Sequence, residues 1–238
     1  MTKPQSTRKS DILSKLEYAN HRYQELMTEL FEAKKSDRDP AYLVHTASEI
    51  IATVRECFDY LGQDIIEFYV IPYTQNSRIQ SDYNTGKLRA YFPLHQSQVN
   101  GSGKLFNEVQ HGSPQLYNDL VNFTDSIANN ASIPNTLFEY SVFLEVKDMV
   151  NEKKHDKLIA VVSNEKQEHL IENETAKIII PIQEQVGWNT FSVSPGTLVK
   201  QATEYRFDYN KKEVGRFCLF AVKATELVIN KFYADHFA

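Results

Sequence analysis

The longest regular pattern in the chain is a stripe of apolar residues, Leu43, Ala47, Ile50, Ile51, Val54, Phe58, Leu61 and Ile65, spaced three and four apart. That spacing keeps every member on one face of a helix. It predicts a helix from Pro40 to about Phe68, with Asp39 as its cap and Pro40 as its first residue. Upstream, Ile12, Leu16, Tyr23, Leu26, Met27, Leu30 and Phe31 recur mostly at helical spacing and predict a first helix from Ser10 to about Lys35. Beyond Pro72 the pattern fades into Asn, Gln, Ser, Gly and isolated aromatics, so residues 74–104 read as a long excursion with one short strand near Leu88 to Leu94. Ser113-Pro114 then opens a short helix to about Phe123, and another is expected from Thr136 to Lys154.

After His155 the period changes. Leu158 to Val162, Lys177 to Ile182, Thr190 to Val193 and Glu204 to Tyr209 are rich in β-branched and aromatic residues and predict short strands, with Ser194-Pro195-Gly196 as a turn between two of them. Helical spacing returns through Phe217, Phe220, Ala224, Leu227, Val228 and Phe232, giving a last helix from Arg216 to about Asp235. The expected class is α+β. An N-terminal antiparallel helical bundle over residues 1–157, carrying the 74–104 excursion, precedes a small antiparallel β layer and a closing helix over 158–238, packed with the bundle as one unit.

Composition narrows the function. Of 238 residues, 26 are Lys or Arg and 31 Asp or Glu, and a net charge of -5 argues against a broad basic face for duplex nucleic acid. Cys57 and Cys218 are the only thiols, too few for a disulfide framework or a Cys-ligated zinc site. Met1 to Ser10 has no apolar core, and no stretch is long and apolar enough for a spanning helix; the expectation is a cytoplasmic protein with no membrane contact. Gly101-Ser102-Gly103-Lys104 lacks the remaining residues of a P-loop, and Glu165, Glu168 and His169 lie in a charged segment between strands without a full ligand set. Neither cofactor nor metal is expected.

Two polar groups remain as candidate chemistry. One is the row His45, Ser48, Glu49, Arg55, Glu56 and Asp59 on the second helix, where Arg55 and Asp59 are four apart and meet on one face. On the surface they form an ordinary ion pair; between helices Asp59 would orient the Arg. The other is Asn151 to Lys157, where Lys154 and His155 either complement the negative end of a helix dipole or, with Asn151, face a cleft against Arg55. In such a cleft His155 would transfer protons and the cations would stabilise a phosphorane.

The segment Ser48-Glu49-Ile50-Ile51-Ala52-Thr53-Val54-Arg55-Glu56-Cys57-Phe58-Asp59-Tyr60-Leu61 resembles the LRSALDHLA helix of a widespread group of uncharacterised bacterial and phage proteins. Phe92-Pro93-Leu94 is similar to the group's Phe-Pro-aliphatic step, and Asn151-Glu152-Lys153-Lys154-His155-Asp156 to its NxxKHR helix end, with Asp156 in place of Arg. The helical part also resembles HEPN domains, some of which are metal-independent ribonucleases with an R-x(4–6)-H motif. Arg38 to His45 and Arg89 to His95 have that spacing. The resemblance implies a HEPN-like bundle, attack by a ribose 2′-hydroxyl, His155 or His45 near the hydroxyl or leaving oxygen, and Arg55 or Arg38 near the phosphate. It also implies RNA or a nucleotide as ligand, a homodimer, and a toxin or phage-defence role.

Arg55, Asp59, Asn151, Lys154 and His155 are therefore the expected site, with Arg38 and His45 behind them. The alternative is a non-catalytic interaction module whose polar cluster is structural and whose partner protein contacts the 74–104 segment and its aromatics.

Overall fold

The first two helices, α1 (Lys9–Ser36) and α2 (Leu43–Ile65), run antiparallel, and ion pairs between them recur every two turns of α1. Arg8 meets Asp64 at 2.7 Å, Lys15 meets Glu56 at 2.6 Å and Arg22 meets Glu49 at 2.9 Å. The Lys15–Glu56 and Arg22–Glu49 pairs are partly exposed and contribute little each, whereas Asp64 is fully buried and depends on its partners. The seam is held by the apolar stripe of α2, every member of which is buried, packed against Ile12, Leu16, Leu26 and Leu30 of α1. The computed structural model describes residues 8–36, 42–101, 103–154, 160–172, 177–181 and 198–237. Asp39-Pro40, Arg38, Leu158, the stretch 190–193, Ser194-Pro195-Gly196, His155 and Asp156 lie outside them.

Several boundaries differ from the sequence reading. Ser10 lies inside α1 rather than capping it. The α2 helix continues as a π-helical turn, Ile66–Val70, in which the Ile71 amide donates to the Ile66 carbonyl at 3.0 Å. The excursion holds two helices in place of a strand, α3 (Ser77–Asn84) and α4 (Gln96–Val99). Asn76 starts α3 by accepting from the Arg78 and Ile79 amides, the local capping chemistry that lets a short polar segment turn helical. Residues 88–94 pair with no strand among the described residues; they lie over α2, burying Phe92 and Leu94. A 3₁₀ turn at Leu105–Glu108 leads into α5 (Val109–Gly112), and α6 (Pro114–Ala128) starts as expected, with the Ser113 hydroxyl accepting from the Leu116 amide at 3.2 Å, but runs past Phe123. Helix α7 (Val142–Lys154) begins later than Thr136, because Asn135 takes a left-handed φ of 61° and a bridge between Ser132 and Glu139 closes a loop there.

The β layer is a three-stranded antiparallel sheet of order β2-β1-β3, formed by β1 (Val161–Glu172), β2 (Lys177–Pro181) and β3 (Leu198–Phe207). The charged segment carrying Glu165 and His169 is part of β1, not a connection between strands. Glu165 stands opposite Thr203 and His169 opposite both Val199 and Ile180, so ladder pairing overrides the polar composition. Helix α8 (Val214–His236) closes the fold, parallel to α2. Its first turn lies near Leu30 and Met27, and at its far end Tyr233 donates to the buried Asp64 at 2.7 Å. The architecture is thus α+β, a helical bundle with a small antiparallel sheet. No described helix is long and apolar enough to cross a membrane.

Candidate functional site

Arg55 and Asp59 sit one turn apart on α2, on the side that faces the 88–94 segment. The Arg55 Nη2 lies 2.9 Å from Asp59 Oδ1, and the side chains are 11% and 27% exposed. Burial pushes the Arg55 guanidinium below its ordinary value, while Asp59 and then Tyr91 act the other way. Its Nη1 is buried without a hydrogen-bond partner. Arg55 is therefore turned inward, within electrostatic reach of Tyr91, while Asp59 is partly exposed beside it. The neighbouring Phe58 and Phe92 rings, 5.2 Å apart, and the backbone of 90–92 running over Gly62 hold this segment in place.

The remaining members of the polar row on α2 go elsewhere. Glu49 accepts from Arg22 and Tyr18, Glu56 accepts from Lys15, and Ser48 is buried. His45 is exposed in the first turn of α2, about 15 Å along the axis from Arg55, and cannot share a substrate atom with it. Asn151 is exposed in the last turn of α7, with no hydrogen bond to Arg55 or Asp59. Lys154 ends α7. Of the expected five, the described residues bring together Arg55 and Asp59.

A second polar pair lies at the end of the 88–94 segment and was legible only in part. His95 Nε2 is 2.8 Å from Lys147 Nζ, so the 88–95 segment and α7 meet through a ring nitrogen and an ammonium. The amides of Leu94 and His95 both donate to the Gln98 side chain, which fixes where the segment ends. Burial first, then Lys147, lowers the His95 pKa, while Asp148 acts the other way. His95 had been marked in the sequence by its spacing from Arg89. However, 88–94 is not helical, so that spacing no longer sets the two on neighbouring turns, and the residue His95 meets is Lys147. Lys147 is one turn before Asn151 on the same helix face, which was the available sequence signal.

The folded state favours the neutral His95 ring. Between its lowered pKa and the ordinary 6.5 the unfolded chain binds more protons, so this contribution to stability is present above about pH 6.5 and lost as pH falls below it. In an NMR titration the His95 ring is expected to change charge below pH 6.5, and Lys147→Met is expected to move the midpoint up only part of the way, because burial is the larger cause. A wild-type midpoint at or above 6.5 would contradict the pairing.

The thiols are not nucleophiles in this setting. Burial pushes Cys57 up to about 12 and raises Cys218 as well. Among the described residues no group of three or more His, Cys, Asp and Glu side chains is placed to hold a metal ion. Comparison with models of protein families, with curated proteins and with solved structures finds no match.

Proposed function

We propose that this chain is a binding module, in which the Arg55–Asp59 pair sets how α2 meets the 88–94 segment and the partner protein docks on the 74–104 surface. The observation that carries this reading is the burial of Arg55, 11% exposed, with one edge of its guanidinium held by Asp59. A catalytic Arg needs an edge that a phosphate can reach; here Asp59 holds Nη2 and the remaining Nη1 is buried. The outer surface of the excursion carries Tyr83 and Tyr91, 38% and 46% exposed, with Tyr73 beside it at 43%. Tyrosines at such exposure are the residues that protein interfaces enrich.

A second reading draws on His95 and Lys147. A His kept neutral beside a cation can take a proton while the cation meets a phosphate, which suits a HEPN-like, RNA-cleaving or nucleotide-binding effector of a toxin or phage-defence system, acting as a homodimer. One experiment separates the two. Wild type, Arg55→Ala, His95→Ala and His155→Ala proteins are incubated with total RNA and a tRNA pool in EDTA, with thermal melting in parallel. The binding reading expects intact RNA throughout and Arg55→Ala less stable by about 1–3 kcal/mol, through loss of the largely buried Arg55 side chain and of its charge-assisted contact with Asp59. Cleavage by wild type that disappears in either His variant, at unchanged melting temperature, would overturn it.

A further inference from the structure

Away from α2, a cleft of about 420 Å³ opens between the loop before α7, the end of β3 and the first turns of α8. That volume is in the range of small-molecule sites. Its floor is aromatic: Phe138 and Phe220 meet edge to face with centroids 4.9 Å apart, and the Arg216 guanidinium lies 5.1 Å over the Phe220 ring. At its mouth Leu137 is 87% exposed, an apolar side chain with nothing over it among the described residues.

The charges that line the cleft are mostly spent on each other. Arg206 pairs with Glu204 at 2.6 Å, Lys212 with Glu145 at 2.5 Å and Lys211 with Asp208. Glu213 caps α8, accepting from the Gly215 and Arg216 amides. Two opposite charges are left over. Among the described residues Arg216 has no carboxylate within ion-pair distance and rests on Phe220 alone, and Glu139 meets no cation, its carboxylate accepting only a 3.4 Å contact from the Ser141 hydroxyl. Both line the same cleft, yet they do not pair with each other.

We infer that this cleft binds a small zwitterion with an apolar side chain, that is, a free α-amino acid of the aromatic or large aliphatic kind, its carboxylate on Arg216, its ammonium on Glu139 and its side chain over Phe138 and Phe220. A guanidinium stacked on an aromatic ring is held in place and still presents its edge to a carboxylate. The near balance of charge in the cleft disfavours a polyanion such as a nucleotide triphosphate, and a chain segment within a polypeptide carries neither terminal charge.

The test is calorimetric titration of the full chain with three probes: L-phenylalanine, phenethylamine, which lacks the carboxylate, and 3-phenylpropionate, which lacks the ammonium. L-Phenylalanine is expected to bind about tenfold or more tighter than either, the worth of one charge-assisted contact. Arg216→Met should erase its advantage over phenethylamine, and Glu139→Gln its advantage over 3-phenylpropionate. Both positions are exposed and fold-neutral by expectation, which unchanged melting curves would verify. Equal binding of all three probes, or no binding of L-phenylalanine up to tens of millimolar, overturns the inference. So does an Arg216→Met protein that folds normally and keeps full preference for the amino acid.

Discussion

Phe58→Ala is expected to lower stability by about 3–5 kcal/mol, among the largest effects of any single truncation in this chain. Phe58 is 1% exposed and its ring is shared between elements: the centroid lies 4.9 Å from Phe143 of α7, 5.2 Å from Phe92 of the crossing segment and 6.3 Å from Phe123 of α6. Removing it deletes buried apolar area and leaves a cavity lined by three other rings, each held by neighbours of its own. Phe92 and Phe123 also contact Phe232 of α8, so the cluster cannot collapse inward without moving a fourth element. Urea unfolding should show the midpoint falling with the slope unchanged. Phe58→Leu, which keeps much of the volume, should cost about 1 kcal/mol. A loss below about 2 kcal/mol for Phe58→Ala would mean that the elements around it slide together, and that Phe92 is not anchored by this ring.

Gly112→Ala should be nearly as damaging, at about 3 kcal/mol or more, although it adds one methyl group. A Cβ built at Gly112 falls 2.3 Å from the Tyr69 carbonyl oxygen and 2.6 Å from Cδ2 of Tyr73. The carbonyl belongs to the π-helical turn that ends α2, so the clash is with backbone rather than with the far end of a flexible side chain, and relieving it requires that backbone to shift. Gly62→Ala makes a useful contrast. There the Cβ meets the Phe92 amide nitrogen at 3.1 Å and the Ala90 carbonyl at 3.3 Å, a squeeze that a shift of a few tenths of an ångström relieves. Its expected cost is about 1–2 kcal/mol, with a local effect on the 90–92 backbone above Arg55. Thermal melting of the two variants side by side checks the order. If Gly62→Ala were the worse, the crossing segment would be more rigidly held than the α5 contact.

These two effects rest on different links between sequence and structure. The stripe that contains Phe58 was visible as a period, and it specified a helix and its buried face correctly because eight apolar residues at helical spacing have one low-energy arrangement. Gly112, by contrast, sits in a four-residue helix, and its closeness to Tyr69 is a property of two elements meeting. The same division runs through the candidate site. The i, i+4 relation of Arg55 and Asp59 could be read directly, and the two do meet. That Arg55 is largely buried there could not, since the polar row on α2 gives no sign of which members a distant segment will cover.

What the sequence by itself determined, then, is whatever depends on neighbours along the chain. This covers α1, α2, α6 and α8 as helices, the Ser113 cap with Pro114 behind it, and the antiparallel β layer between bundle and closing helix. What only the tertiary structure decided is whatever depends on partners brought from afar. The charged run 164–169 became strand because β3 and β2 pair with it, and 88–94 stayed unpaired because α2 offered it an apolar surface instead of a ladder. His95 was joined to Lys147 and separated in role from Arg89, and Arg216 and Glu139 were set unpaired in one cleft. The physical reason is range. Caps, helical periods and i, i+4 pairs act within about two turns of chain, whereas burial, ladder pairing and charge compensation are settled only when the chain has closed on itself.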